Sequence, residues 1–396
     1  MVLALPLFFL FAIYGVVAVY LPVVLTGMGY TATQVGFLLG IFEGAGVVLP
    51  LIISPAIERS GKYGLPLVFM GLLMVAIPLP MVKFLGFGAT AVFLSLYSLG
   101  YKGAVPLSDS LTNKVLGDRC NDYGKVRVAG SVGYVIMTLL LQKFVPAGTA
   151  GQYMIGMVLA AGLFTLSLFL VPGIFSSYEK KSLVIAPSSS EVSPADLQNT
   201  AAPKKETLRE LVAEFPPAFW LGLLLLFLGF FGLTPATKMF ALYMMEFLHS
   251  DATGALSAIS AGSEIPFMFF SGRFLRRYGS LKILVFCTAM VTVRLLLYII
   301  FPNMAGAVLG QLLNSITYGL YHPAAVVFVS QYAPKGKLMI SMSLYSIFAI
   351  GLASVMGNSL GGWMIDSFGY PPVFISFSIF PLLGVLFYFF VRKKIC

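Results

Sequence analysis

The sequence predicts an all-α membrane protein with twelve transmembrane helices in two pseudo-symmetric six-helix bundles. Three observations carry that expectation. Of 396 residues, 59% are hydrophobic and only 10% charged, a balance not found in domains that present a charged surface to water. Runs such as "MVLALPLFFLFAIYGVVAVYLPVVL" and "PPVFISFSIFPLLGVLFYFFV" exceed the roughly 20 apolar residues needed to cross about 30 Å of hydrocarbon as a helix. The two halves of the chain also echo each other at one common offset.

Breaking the hydropathy at glycines, prolines and charge clusters gives the spans in order. The first, 3–25, has no basic leader and no small-residue cleavage site, and it runs straight into further spans, so it is a retained helix. The second, 33–57, contains "GIFEGAGVVLP" and stops at the basic turn "SPAIERSGKYG"; the third covers 64–84 and the fourth 88–114. The fifth, 123–144, opens in "YGKVRVAGSVGY", which puts Arg127 where apolar spacing has already begun, and the sixth is 150–175. After a polar interval come 216–246, 252–275, 280–301, 304–332, 338–365 and 371–391. The eighth of these stops at a second basic turn, "SGRFLRRYGS". Glycine- and proline-rich stretches such as "NSLGGW" allow helices to approach closely and bend.

Residues 176–215 are rich in Ser, Pro and Ala with nothing to bury, and read as a flexible cytoplasmic linker. "LRELVAEF" at its end is either a short interfacial helix, with Leu208, Leu211, Val212 and Phe215 on one face, or a solvated stub. The linker separates an N-terminal bundle, 1–175, from a C-terminal bundle, 216–396. "AGVVLP" at 45–50 matches "AGSEIP" at 261–266, and Tyr101 with Pro106 matches Tyr318 with Pro323, all at an offset of about 216 residues. Parallel repeats of this kind characterise transporter folds whose central site lies between two rocking halves.

The net charge of +10 does not indicate nucleic acid, because the cations gather on alternate loops, the asymmetry that orients membrane proteins. The odd-numbered connections hold only Lys83 and Lys143, at the ends of their spans, and only Lys102, Arg127, Lys238 and Arg294 lie more than three residues inside a span. Both termini are therefore expected on the cytoplasmic side. The three cysteines are far apart with no CxxC spacing, so neither a disulfide framework nor a metal site is expected. With two histidines and no nucleophile constellation or cofactor loop, an enzyme is not expected.

"SPAIERSGK" resembles the signature of the major facilitator superfamily between its second and third helices. Glu58, Arg59, Gly61 and Lys62 fit that pattern and Ser54 replaces its usual glycine. The second-half copy keeps Gly272, Arg277 and Gly279, with Arg276 where the acid would stand. Within the superfamily the chain is similar to the lactose permease branch of oligosaccharide:proton symporters, and to related phenylpropionate and nucleoside permeases. "AVYLP" and "VPLSDSLTNKV...YGKVRVAGSVGY" carry this resemblance. It places Asp109 at the branch's sugar-binding carboxylate and Arg127 at its partner arginine, with Tyr134 replacing the tryptophan that stacks on the sugar. It also aligns Arg294 with the ninth-helix arginine, puts Glu264 near the proton-linked glutamate, and leaves His322 about one turn from the family histidine. The tenth-helix carboxylate has no counterpart; Tyr321 stands nearest.

The residues themselves support a site. A charge at the bilayer centre costs about 2.5–3.5 kcal/mol on insertion scales, so such groups face the bundle interior and find partners. At 1.5 Å per residue, the depths of Asp109 and Arg127 differ by only about 4–5 Å, and Tyr134 lies two turns beyond Arg127 on the same face. These groups either hold substrate or form a helix-pinning ion pair. Glu264 sits mid-helix, where a carboxyl that alternates between protonation and pairing with Arg294 or His322 would couple protons; a permanent Glu264–Arg294 pair is the other reading. Glu43 and Lys102 lie outside the family pattern. They either pair with each other or, with Lys238, suit an anionic solute. Gln311 and Asn314 add hydrogen-bonding groups at i and i+3.

The resulting expectation is a monomeric, multi-pass carrier in a bacterial inner membrane, working by alternating access on a small-molecule substrate. It would need no cofactor or metal, the proton being the coupling ion. Substrate would be bound by Asp109, Arg127, Tyr134, Lys102, Gln311 and Asn314, and protons coupled through Glu264, Arg294, His322 and Glu43. The expected solute is a sugar or sugar-like molecule, the alternative an aromatic carboxylate, nucleoside or lipid-like amphiphile.

Overall fold

The computed structural model describes residues 4–81, 86–116, 123–145, 150–175, 214–334 and 337–395. The polar interval expected to act as a linker lies outside them, apart from its last two residues, Glu214 and Phe215. Among the described residues there are twelve long helices and no strand. The first six are α1 (Ala4–Gly27), α2 (Ala32–Ser60), α3 (Gly64–Met81), α4 (Phe87–Leu116), α5 (Tyr123–Phe144) and α6 (Ala150–Leu168). The others are α7 (Pro217–Phe247), α8 (Thr253–Tyr278), α9 (Ser280–Ile300), α10 (Met304–Tyr332), α11 (Ile340–Phe368) and α12 (Tyr370–Ile395).

Eight of them are long and apolar enough to cross a bilayer. Three of the others, α4, α5 and α8, carry Lys102 and Asp109, Arg127, and Glu264 respectively, so their lower apolarity follows from the groups they bring inside. The apolar run of α2 is described over Ala32–Val48.

Turns between helices follow local chemistry. Gly61 and Gly279 take φ of 66° and 81°, the left-handed region open to glycine without steric penalty, and so end α2 and α8 at corresponding basic turns. Within helices, prolines mark departures from regularity. Pro323 cannot donate to the carbonyl of Gly319, and the stretch before it, Ser315–Leu320, is a wider π-type turn. A second such turn occupies Tyr345–Leu352 of α11. In α7 Pro235 precedes the end of the regular helix at Lys238, and the chain resumes as a short helical stretch and a π-type turn, Tyr243–Phe247.

Packing shows the repeat directly. In the first half α1 lies against α5 and α6, α2 against α4, and α3 against α4 and α6. In the second half α7 lies against α11 and α12, α8 against α10, and α9 against α10 and α12. Adding six to each number converts one set into the other. The same operation relates the two main contacts between halves, α2 with α11 and α8 with α5.

Both inter-half contacts are tightest at one end of the bundle. A Cβ at Gly36 would strike the Asn358 carbonyl and lie 3.0 Å from the Gly362 Cα; one at Gly254 would strike the Thr138 carbonyl. The Asp366 carboxylate of α11 accepts hydrogen bonds from Ala32 N at 3.0 Å and Thr33 N at 2.7 Å, capping α2 across the interface. At the related contact Gln142 of α5 accepts from Ala255 N at 2.5 Å, in the first turn of α8. The end that carries the Gly29 and Gly369 turns is thereby shut.

Candidate functional site

The first half contributes a ladder of aromatic rings. Gly133 lets α5 lie directly against the Phe8 backbone of α1, where any Cβ would clash, and this close approach seats Arg127 on α1. Its guanidinium lies 3.8 Å from the Phe11 ring centroid, a cation–π contact. Phe11 stacks on Tyr14 at 5.3 Å, and Tyr14 on Tyr101 at 3.9 Å. The Tyr14 hydroxyl donates to the Tyr101 carbonyl at 3.0 Å. Among the described residues Glu43 pairs with Lys102 and Lys238, and Glu214 with Lys337. Asp109 is half-buried on α4. Glu43, Tyr318, Arg127 and Asp109 all lie within electrostatic reach of Tyr14.

At the other end of this ladder Glu43, only 4% exposed, takes two lysines. Its Oε2 lies 3.0 Å from Lys102 Nζ and its Oε1 2.6 Å from Lys238 Nζ. Local packing explains both. Gly46, one turn along α2, has no Cβ to collide with the Lys102 stem, and Lys238 emerges where regular α7 ends. The cluster of one carboxylate and two ammonium groups thus joins the halves through Lys238. A small cavity beside it is lined by Leu39, Phe42, Glu43, Tyr101 and Lys238, with Val17 and Leu21 of α1.

The second half holds the guanidinium of Arg294, 1% exposed, in a cradle of neutral groups. Arg294 donates to Asn314 Oδ1 at 2.5 Å, Thr317 Oγ1 at 2.9 Å, Gln311 Oε1 at 3.2 Å and the Tyr298 hydroxyl at 3.3 Å. The Asn314 amide in turn donates to the Glu264 carboxylate. Asn314 therefore stands between Glu264 and Arg294, which do not form the permanent pair that was one reading of their spacing. Close approach of α10 to α8 permits this: a Cβ on Gly319 would lie 3.1 Å from the Glu264 Cα. His322 does not join Glu264. Its Nδ1 lies 3.1 Å from the Tyr345 hydroxyl and its ring stacks on Tyr318.

Tyr318 links the two sides. It is 38% exposed in mid-helix, and Glu264, Glu43 and Arg127 are all within its electrostatic reach, so its open face looks into the space between the halves. Tyr134 lies within reach of Glu264 and Tyr318. The structure thus brings Glu43 with its partner Lys102, Arg127, Tyr134 and Glu264 together around Tyr318, with Arg294, Gln311 and Asn314 behind Glu264. The motif residues lie apart. Gly61 and Gly279 form their turns, Lys62 and Arg277 are exposed, and Gly272 is half-buried; the side chains of Glu58 and Arg59 lie outside the described residues.

Sequence reasoning missed Phe11, Tyr14, Thr317 and Tyr345 as site residues, and nothing in their local sequence sets them apart from packing residues. Tyr101 and Tyr318 carried a usable signal, being the paired positions of the repeat.

A twelve-helix membrane protein with six-helix repeats and a polar central space is a membrane transporter. A family model described as the MFS_1 like family matches residues 1–376, and the chain belongs to that family. It is 26% identical over 305 residues to a maltose permease of Geobacillus stearothermophilus, covering 76% of this chain and 71% of that one. Over 147 residues it is 34% identical to a probable 3-phenylpropionic acid transporter of Escherichia coli (strain K12), covering 36% and 38% of the two chains. A crystal structure of a mutant of the nucleoside transporter NupG superposes with a TM-score of 0.79 at 15% identity, over 98% of both chains. That likeness is one of fold.

Proposed function

We propose that the protein is a proton-coupled secondary transporter that moves a small polar organic solute, sugar or sugar-like, by alternating access between residues 1–175 and 216–396. The observation that carries this reading is the convergence of charged and aromatic side chains from both halves on one space, sealed at the Gly29 and Gly369 end. In this reading Arg127, Asp109 and Tyr134 bind the solute, with Lys102 beside them. Glu264 exchanges a proton, its ionised form held by the Asn314 amide and, through it, by Arg294. Gln311 orients the guanidinium. His322 acts through Tyr318 and Tyr345 rather than on Glu264.

With both termini cytoplasmic, as the distribution of lysine and arginine favours, the sealed end is the outer one and the structure is inward-facing. The relative named as a maltose permease supports a sugar-like solute. The ladder Phe11, Tyr14 and Tyr101 supports a second reading, an aromatic solute such as a nucleoside, which would stack on those rings.

Cells expressing the protein should alkalinise a weakly buffered medium when the right solute is added. Glu264→Gln should abolish uphill accumulation while solute exchange continues. Accumulation by Glu264→Gln at the wild-type level would remove that residue from the coupling role.

A further inference from the structure

We propose that Glu43 is an internal stand-in for a substrate carboxylate, so that the solute is an organic anion which replaces Glu43 between Lys102 and Lys238 as Glu43 takes up a proton. This rests on the transport reading above and names the chemistry of the solute for that site.

The geometry carries it in three steps. First, the cluster holds two ammonium groups against one carboxylate, 3.0 and 2.6 Å away, so it retains one formal positive charge inside the protein. Neutralising Glu43 with a proton would raise the cluster to +2; a neutral solute leaves it there, whereas an anion returns it to +1. Second, both oxygens of Glu43 are engaged, one by each lysine, which is the bridging arrangement a carboxylate ligand would adopt. The lysines keep side-chain exposures of 26% while that of Glu43 is 5%, so their ammonium groups can be reached from the central space without unpacking α2. Third, the aromatic ladder ends there, with Lys102 Nζ 5.6 Å from the Tyr101 ring centroid. An anion with an apolar or sugar body therefore meets rings and cations together.

Proton and anion balance. A proton from water on the open side forms an O–H bond on Glu43, which becomes neutral and releases the lysines. The solute carboxylate then takes the vacated position. The cluster carries +1 before and after, so each anionic charge moves with one proton. Because Lys238 belongs to the second half and Glu43 to the first, the same protonation removes an ion pair that ties the halves together.

The groups facing Glu43 are Lys102 and Tyr101 from α4, Lys238 from α7, Tyr14 from α1 and Tyr318 from α10. Asp109 and Arg127 lie further along the ladder, within reach of Tyr14. Of these, Lys102 and Lys238 alone bond the carboxylate.

The test is a thermal-shift and binding panel on the purified full chain with matched pairs: 3-phenylpropionate against 3-phenylpropionamide, glucuronate against glucose, and lactobionate against lactose. An anion should bind where its neutral partner does not. Its affinity should rise about tenfold for each unit the pH is lowered from 8 to 6, since one proton is taken up per anion bound. Glu43→Gln should bind the same anion without that pH dependence and should lose its proton-coupled accumulation. Lys238→Gln should lose binding, and Lys238→Arg should recover part of it. A purely structural ion pair would leave the pH profile unchanged in Glu43→Gln. If that variant does not fold, the wild-type pH profile and the matched pairs still decide. The proposal is overturned if no anion in the panel outperforms its neutral partner, or if anion binding to the wild type is independent of pH. Maltose or uridine, added as neutral probes, separate the two readings. Their binding with proton uptake leaves the transport reading standing while the anion proposal falls; proton uptake with none of the solutes defeats both.

Discussion

Arg127 shows what a single residue gains from its surroundings. Its cation lies over the Phe11 ring, 3.8 Å from the centroid, and its planar guanidinium is a shape that lysine does not reproduce. Arg127→Ala should abolish solute binding and leave a folded protein, and Arg127→Lys should weaken binding about tenfold, in keeping with a cation–π contact worth roughly 1–2 kcal/mol when desolvated. Titration calorimetry would measure both, and wild-type affinity in the alanine variant would remove Arg127 from the site. Asn314 is a second case, because it touches Arg294 and Glu264 at once. Asn314→Leu takes one bond from a fully buried cation, and should cost about 2 kcal/mol, read as a lower melting temperature in detergent. The sequence shows these charges to be anomalous; it does not show that Asn314, rather than direct pairing, joins them.

At the scale of the element, three of the helices that meet at the site are irregular. Helix α7 breaks after Lys238, and α10 and α11 carry π-type turns beside Tyr318 and at Tyr345. Such interruptions turn side chains and carbonyl groups toward a cavity that a regular helix would leave facing its neighbours. Prolines in the sequence mark two of the three places. Close approach adds to this, since Gly319 brings α10 onto the Glu264 backbone. Gly319→Leu should therefore push α10 from α8 and destabilise the protein by about 1–3 kcal/mol, with loss of proton coupling in the fraction that folds. Thermal unfolding with a parallel uptake assay would check it. Undiminished stability would mean that the two helices do not need that contact.

For the whole molecule, the two cross-half caps set the conformational balance. Asp366 caps α2 and Gln142 caps α8, at helix contacts related by the repeat, and both caps must break before the sealed end opens. Each is worth about 1 kcal/mol as a helix cap, which corresponds to a factor of about five in the ratio of open to sealed forms. Asp366→Ala and Gln142→Ala should each speed labelling of a cysteine placed at Leu39→Cys from the sealed side by about that factor, and the double variant by their product. Unchanged labelling would show that glycine-mediated helix packing alone holds this end.

By itself the sequence determined twelve spans, two halves, the positions of the basic turns and the unusual charges. Hydropathy, glycine, proline and buried charge act over a few residues at a time, so a linear reading captures them. Only the tertiary structure decided which charges meet. Lys238 and Glu43 are separated by 195 positions, and Asp366 and Thr33 by 333. No local pattern encodes such a pairing; it exists because the repeat folds one half against the other. The same packing placed Arg127 on Phe11 and put Asn314 between Glu264 and Arg294, since which group reaches a buried charge depends on how closely the helices approach.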